Sequence, residues 1–317
     1  MRTTHSSQNQ SRLPLLLLAF TMLLTGAASA ASGADLTRAY LDAYKDACAF
    51  GAAHAKTLRR HEVLLVPGYM GELYPAYFAD QLRWLSAIGV AHKKLPIKSG
   101  DSVEVNAPII AAAIRDAPRP VILITHSKGS VDAIEALLSD PRLRTKVKGW
   151  VSLQGAFFGS PVADKLLDGS LLNPLLANVI LGLFGGTHAS AQGLTTAASQ
   201  AYYRERAGAI AQLLRDVPAV AFASAVDATP GETPATSLEL PHELMARDGI
   251  RNDGLIPLDA GVLPGMDFVK ISGVDHIAPV MPARRRLDRV RLTQALLLAL
   301  RAPLRGLPRD AGCGVRR

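Results

Sequence analysis

Ser127 sits in the stretch Val121-Ile122-Leu123-Ile124-Thr125-His126-Ser127-Lys128-Gly129-Ser130. An apolar run leads into it, and residues 128–138 have the pattern of a helix. A serine on so sharp a strand-to-helix turn is held in a strained conformation, its hydroxyl raised above the sheet edge. Its neighbours two positions away must be small, because they approach each other closely. Gly129 meets that need. Thr125 is bulkier than the usual glycine and weakens the pentapeptide read alone. The first turn of the following helix carries partial positive charge, which favours negative charge developing beside the serine. Such a serine is suited to attack a carbonyl. The plain structural alternative is a serine that only caps a helix.

An attacking serine needs a base, and histidine, with an ordinary pKa of ~6.5, can take and return a proton near neutrality. The chain has eight histidines. His5 falls in an N-terminal leader, His54 and His61 precede the first strand, and His92 opens a strand far from Ser127. His126 points the other way along the alternation of its strand. His188 and His242 lie in insertions. His276 follows the last strand, in Ser272-Gly273-Val274-Asp275-His276-Ile277-Ala278-Pro279. A carboxylate must orient this base. Asp253, on the turn Arg251-Asn252-Asp253-Gly254, gives the chain order serine, aspartate, histidine; Asp227, directly after the preceding strand, is the second candidate. Asp275 is a poorer one, since neighbouring side chains diverge. Backbone N–H groups must also face the oxygen that turns negative when serine attacks. One belongs to Lys128. The other comes from Pro67-Gly68-Tyr69-Met70-Gly71, where two glycines let the backbone turn close; Tyr69 is the first choice and Met70 the alternative.

The elements that position these residues alternate. Short apolar runs at 62–67, 92–97, 120–126, 147–154, 219–226 and 268–271 read as strands. Helical patterns fall at 74–88, 102–117, 128–138 and 284–301. This predicts an α/β protein with a mostly parallel central sheet and helices on both faces. Residues 34–60 are predicted as an N-terminal helix, because Leu36, Tyr40, Tyr44, Cys48 and Ala52 recur every four residues. Residues 156–216 break the rhythm. They include the apolar run Leu166–Phe184, which Asn173, Pro174 and Asn178 interrupt, and they are read as an apolar helical cap or lid over the site. Residues 1–30 have the layout of a signal peptide: Arg2 and Arg12, an apolar run of about a dozen residues and Ala28-Ser29-Ala30. The mature domain, 31–317, is therefore expected to be exported, periplasmic or secreted. Cys48 and Cys313 are the two cysteines; a bridge and two free thiols are both open readings. The net charge of +8 gathers in C-terminal arginines around a helix with an apolar face. That is a solvated face, with no nucleic-acid-binding motif beside it.

At these residues the chain resembles bacterial secreted lipases and esterases of the α/β-hydrolase superfamily, from about residue 62 to 282. Val66-Pro67-Gly68-Tyr69-Met70-Gly71 is similar to the family's oxyanion loop, with Pro67 where histidine is common. Thr125-His126-Ser127-Lys128-Gly129 is similar to its nucleophile elbow. Val151-Ser152-Leu153-Gln154-Gly155 with Gly159-Ser160-Pro161-Val162-Ala163-Asp164 resembles the segment after the next strand. Arg251-Asn252-Asp253-Gly254-Leu255 resembles the acid loop, which favours Asp253 over Asp227, and Asp275-His276 resembles the base loop. The resemblance implies a Ser127-Asp253-His276 triad, an oxyanion hole from Tyr69 and Lys128, and hydrolysis of lipid or other hydrophobic acyl esters through an acyl-enzyme. Thioesters or polyesters are the alternative substrates, and a non-catalytic binding protein on the same fold is the rival of another class. Such lipases often hold calcium through an aspartate just after the histidine. Ile277 stands there, so neither a metal nor another cofactor is expected. The expected partners are the ester substrate and a transient lipid surface, with no nucleic acid or protein partner.

Overall fold

The computed structural model describes residues 33–69, 71–98, 100–169, 174–183, 191–226, 234–282, 287–300, 304 and 306–307. The chain opens with α1 (Thr37–Lys45) and α2 (Ala52–Leu58), followed by β1 (Glu62–Val66), α3 (Ala79–Ala87), β2 (Ala91–Lys94), α4 (Val103–Asp116) and β3 (Val121–His126). Then come α5 (Lys128–Ser139), α6 (Arg142–Lys146), β4 (Val147–Leu153), α7 (Pro161–Leu167), α8 (Pro174–Leu183) and α9 (Thr196–Asp216). The last elements are β5 (Ala219–Ala225), α10 (Glu239–Ala246), β6 (Asp267–Ser272) and α11 (Arg289–Ala299).

The six strands form one sheet in the order β2-β1-β3-β4-β5-β6, and every neighbouring pair is parallel. Parallel strands are buried on both faces, which is why they read as unbroken apolar runs. All six residues of β3 are buried. Alternate residues feed two cores. Val63, Leu65, Ile122 and Ile124 pack with Tyr40 of α1, Leu85 of α3 and Leu296 of α11. Leu64, Val66, Val121 and Leu123 pack with Ile110 of α4, Leu137 of α5 and Leu213 of α9. The chain leaves β1 toward β2, then crosses back to β3 on the other side. The carboxyl ends of β1 and β3 therefore flank the point where the order reverses, the usual ligand crevice of such sheets.

Two expectations change. The N-terminal segment is two helices, not one. The four-residue repeat runs across Asp46, whose carboxylate instead accepts the Cys48 N–H at 2.9 Å, a local bond that competes with the helix. Cys48 is disulfide-bonded; Cys313 lies outside the described residues, as do residues 1–30, where a leader is expected. The segment 156–216 is also not one cap. Helix α9 packs Ile210 and Leu213 on the sheet, as a crossover between parallel strands requires. Helices α7 and α8, with Ala156, Ala191 and Leu194, instead join a third apolar cluster, in which Val162, Leu166 and Ile180 meet Tyr69, Leu238 and Leu255 above the strand ends. Among the described residues no helix is long and apolar enough to cross a membrane.

Candidate active site

Ser127 occupies the turn between β3 and α5 with φ 52° and ψ −129°, a left-handed conformation that costs a non-glycine residue of order 1–3 kcal/mol. The surrounding backbone enforces it. The Ser127 amide donates to the Leu153 carbonyl at 3.0 Å, and the Ser127 carbonyl accepts from the Ser130 and Ala156 amides at 3.0 and 3.3 Å. Gly129 lies against the end of β1, where a Cβ would come within 2.3 Å of the Pro67 carbonyl oxygen. Gly129→Ala is therefore expected to lower stability by about 1–3 kcal/mol, read as a shift in the denaturant midpoint. Gly68 is equally confined: its Cβ would stand 2.7 Å from that of Ser127. The backbone at Gly68 is thus pressed against the serine. Tyr69 follows that contact, and Lys128 is the first residue of α5, where no helical carbonyl accepts its amide. The two expected donors are thus the chain neighbours of Ser127 and of Gly68, and Tyr69 lines the same cavity as Ser127; Met70 lies outside the described residues.

Thr125 has room because its side chain faces away from Ser127. Its hydroxyl accepts from Trp150 Nε1 at 2.9 Å and shares a 2.7 Å hydrogen bond with the Ser130 hydroxyl, which in turn accepts from Ser152 at 2.9 Å. The bulk that weakens the motif is absorbed by a buried hydroxyl cluster beneath the turn.

Three of the predicted residues form one hydrogen-bonded line. His276 Nε2 lies 2.9 Å from Ser127 Oγ, and His276 Nδ1 lies 2.8 Å from Asp253 Oδ2. All three are buried. Asp253 is fixed by its own turn: Oδ1 accepts the Leu255 and Ile256 amides at 2.9 and 2.7 Å, and its carbonyl accepts the His276 amide at 2.8 Å. Gly254, at φ 102°, makes this turn without strain. The second candidate acid, Asp227, lies outside the described residues. Asp275 turns away from the histidine ring. It accepts the Ile277, Ala278 and Ala235 amides at 3.1, 2.8 and 2.8 Å, and burial raises its pKa. It therefore ties the base loop to the segment that carries Leu238.

Sequence reasoning set His126 apart from the site, and the structure puts it inside. Its ring centroid is 4.9 Å from that of His276. Its Nε2 is 2.8 Å from the His276 carbonyl oxygen, and its Nδ1 is 2.5 Å from the Tyr77 hydroxyl. That hydroxyl also accepts the Gly68 amide at 2.9 Å. Burial, reinforced by the nearby His276, holds the His126 pKa well below the usual histidine range. Strand alternation correctly turns this side chain from the hydroxyl cluster under Thr125. It cannot foresee that the base loop, 150 positions away, folds down onto it.

The Lys128 side chain is buried too. Its ammonium reaches both Asp132 oxygens, at 2.7 and 2.9 Å, and stands 5.6 Å from the Tyr69 ring centroid. Burial pushes the Asp132 carboxyl up to about 6 despite that partner. Above Ser127 and His276 opens a cavity of about 650 Å³. Its walls are mainly apolar and include Tyr69, Tyr74, Leu238, Leu255, Ile277 and Met281. Leu73 and Tyr74, beside it, are 65% and 44% exposed. Among the described residues no group of three or more His, Cys, Asp or Glu could hold a metal ion.

No protein-family model and no curated protein matches the chain. Solved structures do. A metagenomic carboxyl esterase, MGS0156, superposes with a TM-score of 0.61 at 25% identity, over 75% of this chain and 74% of that one. The mature form of the Bacillus licheniformis lipase BlEst2 does so with a TM-score of 0.56 at 17% identity, over 69% and 85%. With the six-stranded parallel sheet, these likenesses give the chain the α/β-hydrolase fold.

Proposed function

We propose that this α/β-hydrolase of the esterase and lipase kind cleaves carboxylic esters with Ser127 as nucleophile, His276 as base and Asp253 as the carboxylate that orients it. The observation that carries this reading is the line Ser127–His276–Asp253, with contacts of 2.9 and 2.8 Å, at the floor of an apolar cavity. His276 takes the serine proton as Oγ attacks the ester carbonyl, and the imidazolium formed is stabilised by Asp253. The Tyr69 and Lys128 amides receive the oxyanion. His276 returns the proton to the departing alcohol. Water then attacks the acyl-enzyme by the same route in reverse.

The apolar walls favour an acyl chain or another hydrophobic substituent, and the exposed Leu73 and Tyr74 suit transient contact with a lipid surface. Thioesters and polyesters would use the same atoms. The leader-like residues 1–30 and the disulfide at Cys48 support export to an oxidising compartment, periplasmic or extracellular. Sequencing the N-terminus of the secreted protein checks this, with Ala31 expected first.

A fluorophosphonate tests the activity reading, since it labels only an activated serine. Stoichiometric labelling on the Ser127 peptide is expected, together with release of nitrophenol from esters of graded chain length. Absence of both would sink the reading and favour a binding protein. Labelling with turnover confined to acyl thioesters would move the substrate class.

A further inference from the structure

The three loops that meet at Ser127 are joined by a buried chain of hydrogen bonds that the ester-cleavage scheme does not use. It runs from the Gly68 amide to the Tyr77 hydroxyl, on to His126 and then to the His276 carbonyl, over 2.9, 2.5 and 2.8 Å. Tyr77 and His126 are 3% and 2% exposed, so water does not substitute for any link. The direction of each bond follows from its ends. The His276 carbonyl can only accept, so His126 carries its proton on Nε2. In the neutral ring Nδ1 is then an acceptor, so the Tyr77 hydroxyl donates to it. The Tyr77 oxygen is left to accept from Gly68. Each member makes the donation that its neighbour requires.

We infer that Tyr77 and His126 are positioning residues that set the oxyanion loop and the base loop at one fixed distance from the nucleophile. The inference rests on the ester-hydrolase reading above. His126 is adjacent to Ser127 in the chain and moves with it. Through Nε2 it holds the backbone of His276, whose ring must meet Ser127 Oγ. Through Tyr77 it holds Gly68, whose Cα lies against the Ser127 Cβ and whose successor supplies an oxyanion donor. The Tyr77 bond also engages the Gly68 amide, so that amide is not offered to the substrate and the donor falls to the next residue. Tyr77 is placed by packing that does not depend on its hydroxyl: its ring meets those of Phe78 and His126 edge-on, with centroids 5.2 and 5.6 Å away. Removing the oxygen alone therefore isolates the polar link. Oxyanion donors act over a narrow range of distance, so a small drift of the loop lowers stabilisation of the transition state more than binding of the ground state.

The test uses Tyr77→Phe, His126→Phe and the double variant, with nitrophenyl butyrate as substrate and an alkyl boronic acid as a mimic of the tetrahedral adduct. For Tyr77→Phe, kcat should fall by about 10- to 100-fold with KM within about twofold. Boronic acid affinity should fall by the same factor as kcat. A merely structural loss would lower the active fraction and leave kcat per fluorophosphonate-labelled site unchanged. Because both residues belong to one chain, the double variant should be no worse than the worse single one. An unchanged kcat per labelled site in Tyr77→Phe overturns the inference. So do losses that multiply in the double variant, or a fall in kcat without a fall in boronic acid affinity. If His126→Phe does not fold, Tyr77→Phe and the boronic acid decide alone. A wild-type protein that turns over no ester would instead remove the ester reading, a distinct result.

Discussion

Ser127→Ala should remove about a million-fold of kcat for nitrophenyl butyrate, down to the limit of detection, while leaving the fold intact. The fold survives because the turn is built from backbone. The Ser127 amide bonded to Leu153 and its carbonyl, which accepts from Ser130 and Ala156, do not involve the side chain. Alanine keeps the Cβ that rests on Gly68, and only Oγ and its 2.9 Å contact to His276 are lost. The hydroxyls beneath the turn cannot take over. Ser130 and Thr125 are engaged with each other and with Ser152 and Trp150 in the cluster beneath the turn. Binding of a non-cleavable ether analogue should be unchanged, since the apolar walls of the cavity are untouched. The measurement is kcat beside the thermal midpoint. A variant that unfolds at the wild-type temperature yet keeps measurable turnover would exclude Ser127 as the nucleophile.

The fold was largely legible in the sequence because parallel strands must be apolar on both faces. Runs such as Val121–Ile124 can hardly be anything else when bounded by Pro120 and a glycine-containing turn. The serine turn was legible for a related reason, since a strand, a small residue at 129 and a helix must coincide there. The Asn-Asp-Gly turn offered Asp253 beside Asp227, and it was the resemblance that favoured Asp253, which the fold sets 2.8 Å from His276. The illegible parts depend on contacts between distant segments. Nothing local to Tyr77 marks it: it falls inside the predicted helix 74–88, whereas α3 begins only at Ala79, after Phe78 adopts φ 64°. Its role arises only once Gly68 and His126 close around its hydroxyl. Thr125 misleads in the opposite direction. The motif rule penalises its size, but Trp150, 25 positions on, offers a donor that makes a hydroxyl welcome. The segment 156–216 misleads because both a sheet-covering helix and a cap are apolar. Only packing assigns α9 to the first kind and α7 and α8 to the second.

Asp253→Asn should lower kcat by about ten-thousand-fold without unfolding the protein, and the geometry gives the reason. The two oxygens of Asp253 have different duties. Oδ1 accepts two amides, Leu255 and Ile256, at 2.9 and 2.7 Å, whereas Oδ2 faces His276 Nδ1 at 2.8 Å. In asparagine one position becomes an NH2 group. Placing it at Oδ1 would set donor against two donors in a buried site, so the oxygen stays there and the NH2 turns toward His276. An NH2 can only donate, so Nδ1 must offer its lone pair and the ring proton moves to Nε2. Ser127 then faces an N–H where it needs an acceptor, and its proton has nowhere to go. The backbone turn is preserved, because the oxygen that holds it is preserved. The expected result is therefore a normal thermal midpoint, normal substrate affinity and kcat reduced by about four orders of magnitude. Nitrogen chemical shifts of the His276 ring should show the proton moved from Nδ1 to Nε2. A loss of less than tenfold would assign the orienting role to another carboxylate, with Asp227 the first to replace next.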